Sequence, residues 1–173
     1  MITIDTCLAP AICSGRTFEI REPLRDLFAP PATDEAAIAE ALAKSILQRS
    51  LLLGGILLVQ RDVVCEREAT DYLRLRAEID GIEAGGKRMA MVKAVKAWSQ
   101  GAEPPQEWVD TLQLNMYTSS HDEGVIVVFE GATFKTHHYA YHYDYNRVHK
   151  MLSRLDAYAR AVLLSTHHQE VLR

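Results

Sequence analysis

Residues Lys135 to Asn146 read Lys-Thr-His-His-Tyr-Ala-Tyr-His-Tyr-Asp-Tyr-Asn, a two-residue alternation that an extended strand satisfies and a helix does not. As a strand, the run sets His137, Tyr139, Tyr141, Tyr143 and Tyr145 on one face. Thr136, His138, Ala140, His142 and Asp144 fall on the other. A strand here requires a partner, and the residues before it supply candidates. Leu112, Leu114 and Met116 alternate with Gln113, Asn115 and Tyr117, and Val125 to Glu130 is rich in β-formers. His121-Asp122-Glu123-Gly124 and Gly131-Ala132-Thr133 read as turns between them. An antiparallel three-strand meander over about residues 111–145 is the resulting expectation.

Asn146 then stands as an N-cap, and Val148, Leu152, Leu155, Ala159 and Val162 form an apolar seam with helical spacing. A closing C-terminal helix follows. Upstream, Thr3 to Arg21 holds short alternating stretches that suggest one or two strands, and Pro30-Pro31 ends them. Thr33 caps an expected helix from Asp34 to about Ser50, with Ile38, Leu42 and Ile46 on its apolar stripe. Leu51 to Arg67 fits either two strands or a continued helix, and the poor hairpin character of Arg61-Asp62 favours helix. Tyr72, Leu75, Ile79 and Ile82 at spacings of 3, 4 and 3 predict a helix that ends near Gly85-Gly86. A further helix is expected from Lys87 to about Gln100, with Met91, Val95 and Trp98 packed inward, and another can begin after Pro104-Pro105. The order of elements predicts one α+β domain over residues 1–173, its antiparallel sheet packed with amphipathic helices.

Composition limits function more than it assigns it. Hydrophobic residues at 48% and charged ones at 24% are ordinary globular values. The net charge of −4 hides an asymmetry, since from Ala132 onward six Lys/Arg face three Asp/Glu. Three cysteines without a Cys-x-x-Cys pair argue against a disulfide framework or a zinc knuckle. The apolar run Leu51–Val59 is far short of the ~20 residues of a spanning helix, and a signal peptide is not evident, so a cytoplasmic protein without membrane contact is expected.

Motif by motif, no reaction is fixed. Gly85-Gly86-Lys87-Arg88 has the wrong glycine offset for a phosphate-binding loop, and Arg88 stands where Ser or Thr is required. Ser119-Ser120-His121-Asp122 holds triad residue types, but consecutive residues cannot assemble a triad. His142 and Asp144, two apart on one strand face, are the weak metal candidates, while a catalytic zinc needs about three protein ligands. No metal and no cofactor are expected.

Binding is better supported. The tyrosines of the strand, with Lys135 and His137, adjoin Arg147, Lys150 and Arg154, which form one basic stripe on the last helix. Tyrosine serves protein interfaces well, so the leading expectation is a non-enzymatic binding or assembly protein. It would use a protein partner or a second copy of itself, as phage or mobile-element components often do. The alternative is a nucleic-acid binder that stacks bases on Tyr139, Tyr141, Tyr143 and Tyr145 and holds phosphates with the basic stripe. A metal-dependent enzyme using His142 and Asp144 is a second alternative.

Overall fold

The computed structural model describes residues 1–14, 58–99, 101–133 and 135–171. The expected helix from Asp34 to Ser50 lies outside the described residues. In chain order the elements are β1 (Ile2–Asp5), α1 (Ala9–Cys13), β2 (Leu58–Glu68), β3 (Leu73–Glu83) and β4 (Arg88–Val95). Then follow α2 (Gln106–Ser119), β5 (Glu123–Glu130), β6 (Lys135–His142) and α3 (Tyr145–Val171). The six strands form one mixed sheet in the order β1-β3-β4-β5-β6, with β2 paired to β3. The α+β class therefore holds, but the meander does not.

The segment expected as a helix through Tyr72, Leu75, Ile79 and Ile82 is a strand. Leu73, Leu75, Ala77 and Ile79 are fully buried, while Arg74, Arg76, Glu78 and Asp80 between them are not. Both periods fit this stretch. Leu73 and the small Ala77 are buried members that the helical reading passes over, and pairing with β2 decides for the strand. That pairing runs from Leu58↔Glu83 to Glu68↔Arg74, so the helix favoured for 51–67 is likewise a strand from Leu58 on. At the hairpin turn the Thr70 hydroxyl accepts the amides of Tyr72 and Leu73 and donates to Asp156 of α3. Lys87–Gln100, also expected to be helical, carries β4. Gly85 and Gly86, at φ +105° and +69°, close a hairpin rather than a helix, a backbone conformation that costs glycine little.

The opposite error concerns residues 111–117, which are helical in α2. Val109, Thr111, Leu112, Gln113, Leu114, Asn115, Met116 and Thr118 are all buried, so no wet face marks the helical period. Leu112 packs in a cluster with Met89, Met91, Ile126 and Val128, while Leu114 packs with Ile4, Leu75, Val148 and Leu155. Two residues apart on a helix point to nearly opposite sides, which is how α2 fills the space between sheet and α3. Its buried polar groups are satisfied. The Gln113 amide donates to the His142 carbonyl (2.8 Å) and accepts the Asp144 amide (2.7 Å). Gly124 of β5 permits the close approach, because a Cβ there would lie 3.0 Å from both Leu112 and Met116.

With α2 helical, β4 and β5 run parallel across it, Arg88↔Glu123 through Val95↔Glu130. Only β5 and β6 keep the expected antiparallel pairing, from Glu123↔His142 to Glu130↔Lys135. The closing helix forms as expected, with Val148, Met151, Leu155 and Ala159 buried. Its cap is Asp144, whose carboxylate accepts the Arg147 amide, rather than Asn146. Among the described residues, no helix is long and apolar enough to cross a membrane.

Candidate active site

The sheet is forked at β3. One edge of β3 is paired with β2 along most of its length. The other edge meets β1 in parallel over Leu73–Arg76 and β4 in antiparallel at Gly81 and Ile82. Between those contacts, among the described residues, Ala77 to Asp80 has no strand partner on that edge. The strands β1 and β4 thus approach the same edge end to end and leave a gap. The Asp80 carboxylate sits in the gap and accepts the Val92 amide (2.7 Å), replacing the ladder bond that the diverging strands no longer make.

An opening of about 280 Å³ follows from this fork. Asp5 and Cys7 enter it from the end of β1, Arg76, Glu78 and Asp80 from β3, and Met91 and Lys93 from β4. Behind them stand Thr111 and Asn115 of α2, with the Thr6 hydroxyl donating to the buried Asn115 carbonyl oxygen. Among the described residues, three carboxylates thus face two cations in one small opening. Arg76 reaches Glu78 across 3.5 Å, an exposed pair that contributes little to stability. The Cys7 thiol is pushed up, first by desolvation and then by Asp5, against a backbone hydrogen bond that draws it down; Glu78 and Lys93 act less, in opposite directions. Cys7 is therefore a neutral thiol here, and the fork's charged donors are hard oxygens. Lys93 lies 5.9 Å above the Trp108 ring, which stacks on Trp98 at 5.8 Å.

None of Asp5, Glu78, Asp80 or Lys93 stood out in the sequence. The signal was the alternation of Arg76, Glu78 and Asp80 with Ala77 and Ile79, which a strand reading of 73–80 would have placed on one face.

The residues singled out from sequence divide into two groups. On β6 the tyrosines turn toward the core. Tyr139 and Tyr141 are half-buried on the α2 side, and Tyr139 accepts the Trp98 indole N–H (2.8 Å) and donates to the Ala102 carbonyl (2.7 Å). Burial pushes the Tyr141 and Tyr143 hydroxyls up. Tyr145 is 66% exposed and stacks on His149. His137 lies 3.8 Å from Glu130, a carboxylate held low first by the Thr133 hydroxyl and then by the Trp98 amide. Lys135 and His138 are exposed. His142 is exposed at the strand end and Asp144 caps α3. Among the described residues no three His, Cys, Asp or Glu side chains gather as a metal cluster. The second group, Arg147, Lys150 and Arg154, converges on a cavity of about 460 Å³ between α1, α2 and α3.

No family model matches the chain, and no curated protein matches it in sequence. Solved structures do match in fold. An alkaline exonuclease, LHK-Exo, from Laribacter hongkongensis superposes with a TM-score of 0.71 at 12% identity, covering 98% of this chain and 93% of that one. The same exonuclease in complex with dAMP gives 0.73 at 11% identity, over 96% and 91%. A phage related exonuclease from Haemophilus somnus 129PT gives 0.61 at 14% identity, over 95% and 96%. At these identities the likeness shows a shared fold. It corrects the leading expectation of a non-enzymatic assembly protein working through protein–protein contacts, because these proteins of the same fold are exonucleases. The tyrosine ladder that carried that expectation serves largely to pack β6 against α2.

Proposed function

We propose that this chain acts on nucleic acid as a phosphodiester-cleaving enzyme of the exonuclease type, with the fork of the sheet as its reaction site. The observation that carries the reading is the convergence of Asp5, Glu78, Asp80 and Lys93 where β1 and β4 part along β3. The fold shared with solved exonucleases supports it.

Charge gives the reading its chemistry. Among the described residues, Asp5, Glu78 and Asp80 bring carboxylate oxygens to the opening beside Arg76 and Lys93, and a bound cation would let that set accept a phosphodiester. The donor set is carboxylate oxygen. It fits a magnesium-like ion, which takes one or two carboxylates and completes its shell from water and substrate phosphate. Glu78 and Asp80, two apart on β3, would hold it, and it would supply Lewis-acid polarisation of the phosphoryl group. The chain's own part is positioning and electrostatics. Lys93 brings a compact positive charge to the same opening, suited to the phosphoryl oxygens whose charge grows during cleavage. Asp80 also holds Val92, and so keeps Lys93, one residue on, at a set place on β4. Asn115 and Thr6, buried and bonded to each other, brace the end of β1 that carries Asp5.

Labelled linear single- and double-stranded DNA and RNA, incubated with Mg²⁺ or Mn²⁺, test the reading. Wild-type protein is expected to release nucleotides, and Lys93→Met to lower the rate by about 10²–10³-fold, the usual cost of losing one charge-stabilising donor. Full activity in Lys93→Met, or none in the wild type on any of these substrates, would overturn it.

A further inference from the structure

The fork does not use the basic stripe of α3. Arg147, Lys150 and Arg154 line the cavity between α1, α2 and α3 from a single face of α3. Two carboxylates share the cavity, Asp110 and Asp144, and each already accepts a hydrogen bond. Asp110 accepts the Arg147 Nε–H at 2.6 Å, and Asp144 caps α3. One Arg147 nitrogen, Nη2, is buried and has no hydrogen-bond partner among the described residues. A buried guanidinium donor left unpaired is costly, and an anion is the group that would satisfy it. Arg154 donates once, to the Cys13 carbonyl at 3.1 Å, and among the described residues no carboxylate pairs with Lys150. Among the described residues that line the cavity, three cations therefore stand against two carboxylates.

Its place relative to the fork gives the anion an identity. Asp110 lines this basin, and the next residue on α2, Thr111, lines the fork. Likewise Cys7 lines the fork just before α1, and Cys13 at the end of α1 lines the basin. The two openings thus meet at consecutive residues of α2 and lie at the two ends of the segment from Cys7 to Cys13. A chain with a phosphate at every step can occupy both.

We infer that the basin of Arg147, Lys150 and Arg154 is a phosphate-binding site that grips the backbone of the nucleic-acid strand being acted on at the fork. This rests on the proposed reaction at the fork for the identity of its ligand, but not for its test. Binding of a fluorescent single-stranded oligonucleotide is measured by anisotropy in EDTA, where no metal-dependent turnover occurs, across a series of salt concentrations. Lys150→Glu/Arg154→Glu, two exposed changes, is compared with wild type after thermal melting shows that both are folded. The double variant is expected to bind at least 10-fold more weakly at low salt. Its slope of log affinity against log salt should be shallower by about 1.4, ~0.7 for each phosphate no longer neutralised. An unchanged affinity and slope, or a wild type that does not bind at all, would overturn the inference. A wild type that binds with the expected slope difference but never cleaves would defeat the proposed reaction while leaving the basin in place.

Discussion

At the scale of single residues, buried polar groups carry more of this structure than their number suggests. Gln113 is 2% exposed, and its amide joins the His142 carbonyl to the Asp144 amide, so it fixes the passage from β6 into α3. Gln113→Leu keeps the volume but strands both backbone groups. It should cost about 1–3 kcal/mol in urea unfolding, a penalty that an exposed glutamine would not show. Cys13 offers a second test through pH. Burial pushes its thiol up to about 11, against an opposing pull from Arg154. A thiol raised on folding adds stability that is present below its unfolded value near 9 and is lost as pH climbs toward 11. The difference in urea midpoint between wild type and Cys13→Ala should therefore shrink between about pH 9 and 11 and stay flat from pH 6 to 8. A difference that grows with pH would contradict the assignment. These residues also show where sequence reading stops. Gln113 and Asn115 look like the wet side of a strand because glutamine and asparagine are mostly exposed, and only their tertiary partners make burial tolerable.

The elements were legible in proportion to how strongly one face differs from the other. α3 and β6 have a wet side and a dry side and were readable from spacing, while β5, buried on both faces, was readable from its run of β-formers. β3 was not, since its alternation overlaps a helical stripe through Leu75, Ile79 and Ile82. Nor was α2, whose buried residues lie all round. A helix packed on both sides should be sensitive on both sides. Leu114→Ala, facing the α1 and α3 cluster, is expected to lose about 2–5 kcal/mol, and so is Leu112→Ala, facing the sheet. In the three-strand meander, where these side chains would share one face, their removal would open a single cavity. In α2 they occupy separate clusters, so the two losses should add in the double variant within about 0.5 kcal/mol. Strong coupling between them would argue against the helix.

For the whole molecule, the candidate site exists only because distant segments meet. Asp5, Glu78, Asp80 and Lys93 come from three strands, and nothing in their sequence spacing announces the gap between β1 and β4. The sequence drew attention to the His/Tyr strand because it is compositionally unusual, but most of those tyrosines serve packing. The basic stripe beside it was legible because three cations on one helix face need no tertiary information to be recognised. Asp80→Asn tests the central claim most directly. Asparagine keeps an oxygen to accept the Val92 amide, so the fork should stay intact while one negative charge leaves it. Nucleotide release from linear DNA with Mg²⁺ or Mn²⁺ is measured beside the melting temperature and the oligonucleotide affinity in EDTA. The expected result is cleavage by wild type, a loss of at least ~100-fold in Asp80→Asn, and melting temperature and affinity that change little. Cleavage that survives in Asp80→Asn at the wild-type rate would contradict the assignment of the fork as the reaction site.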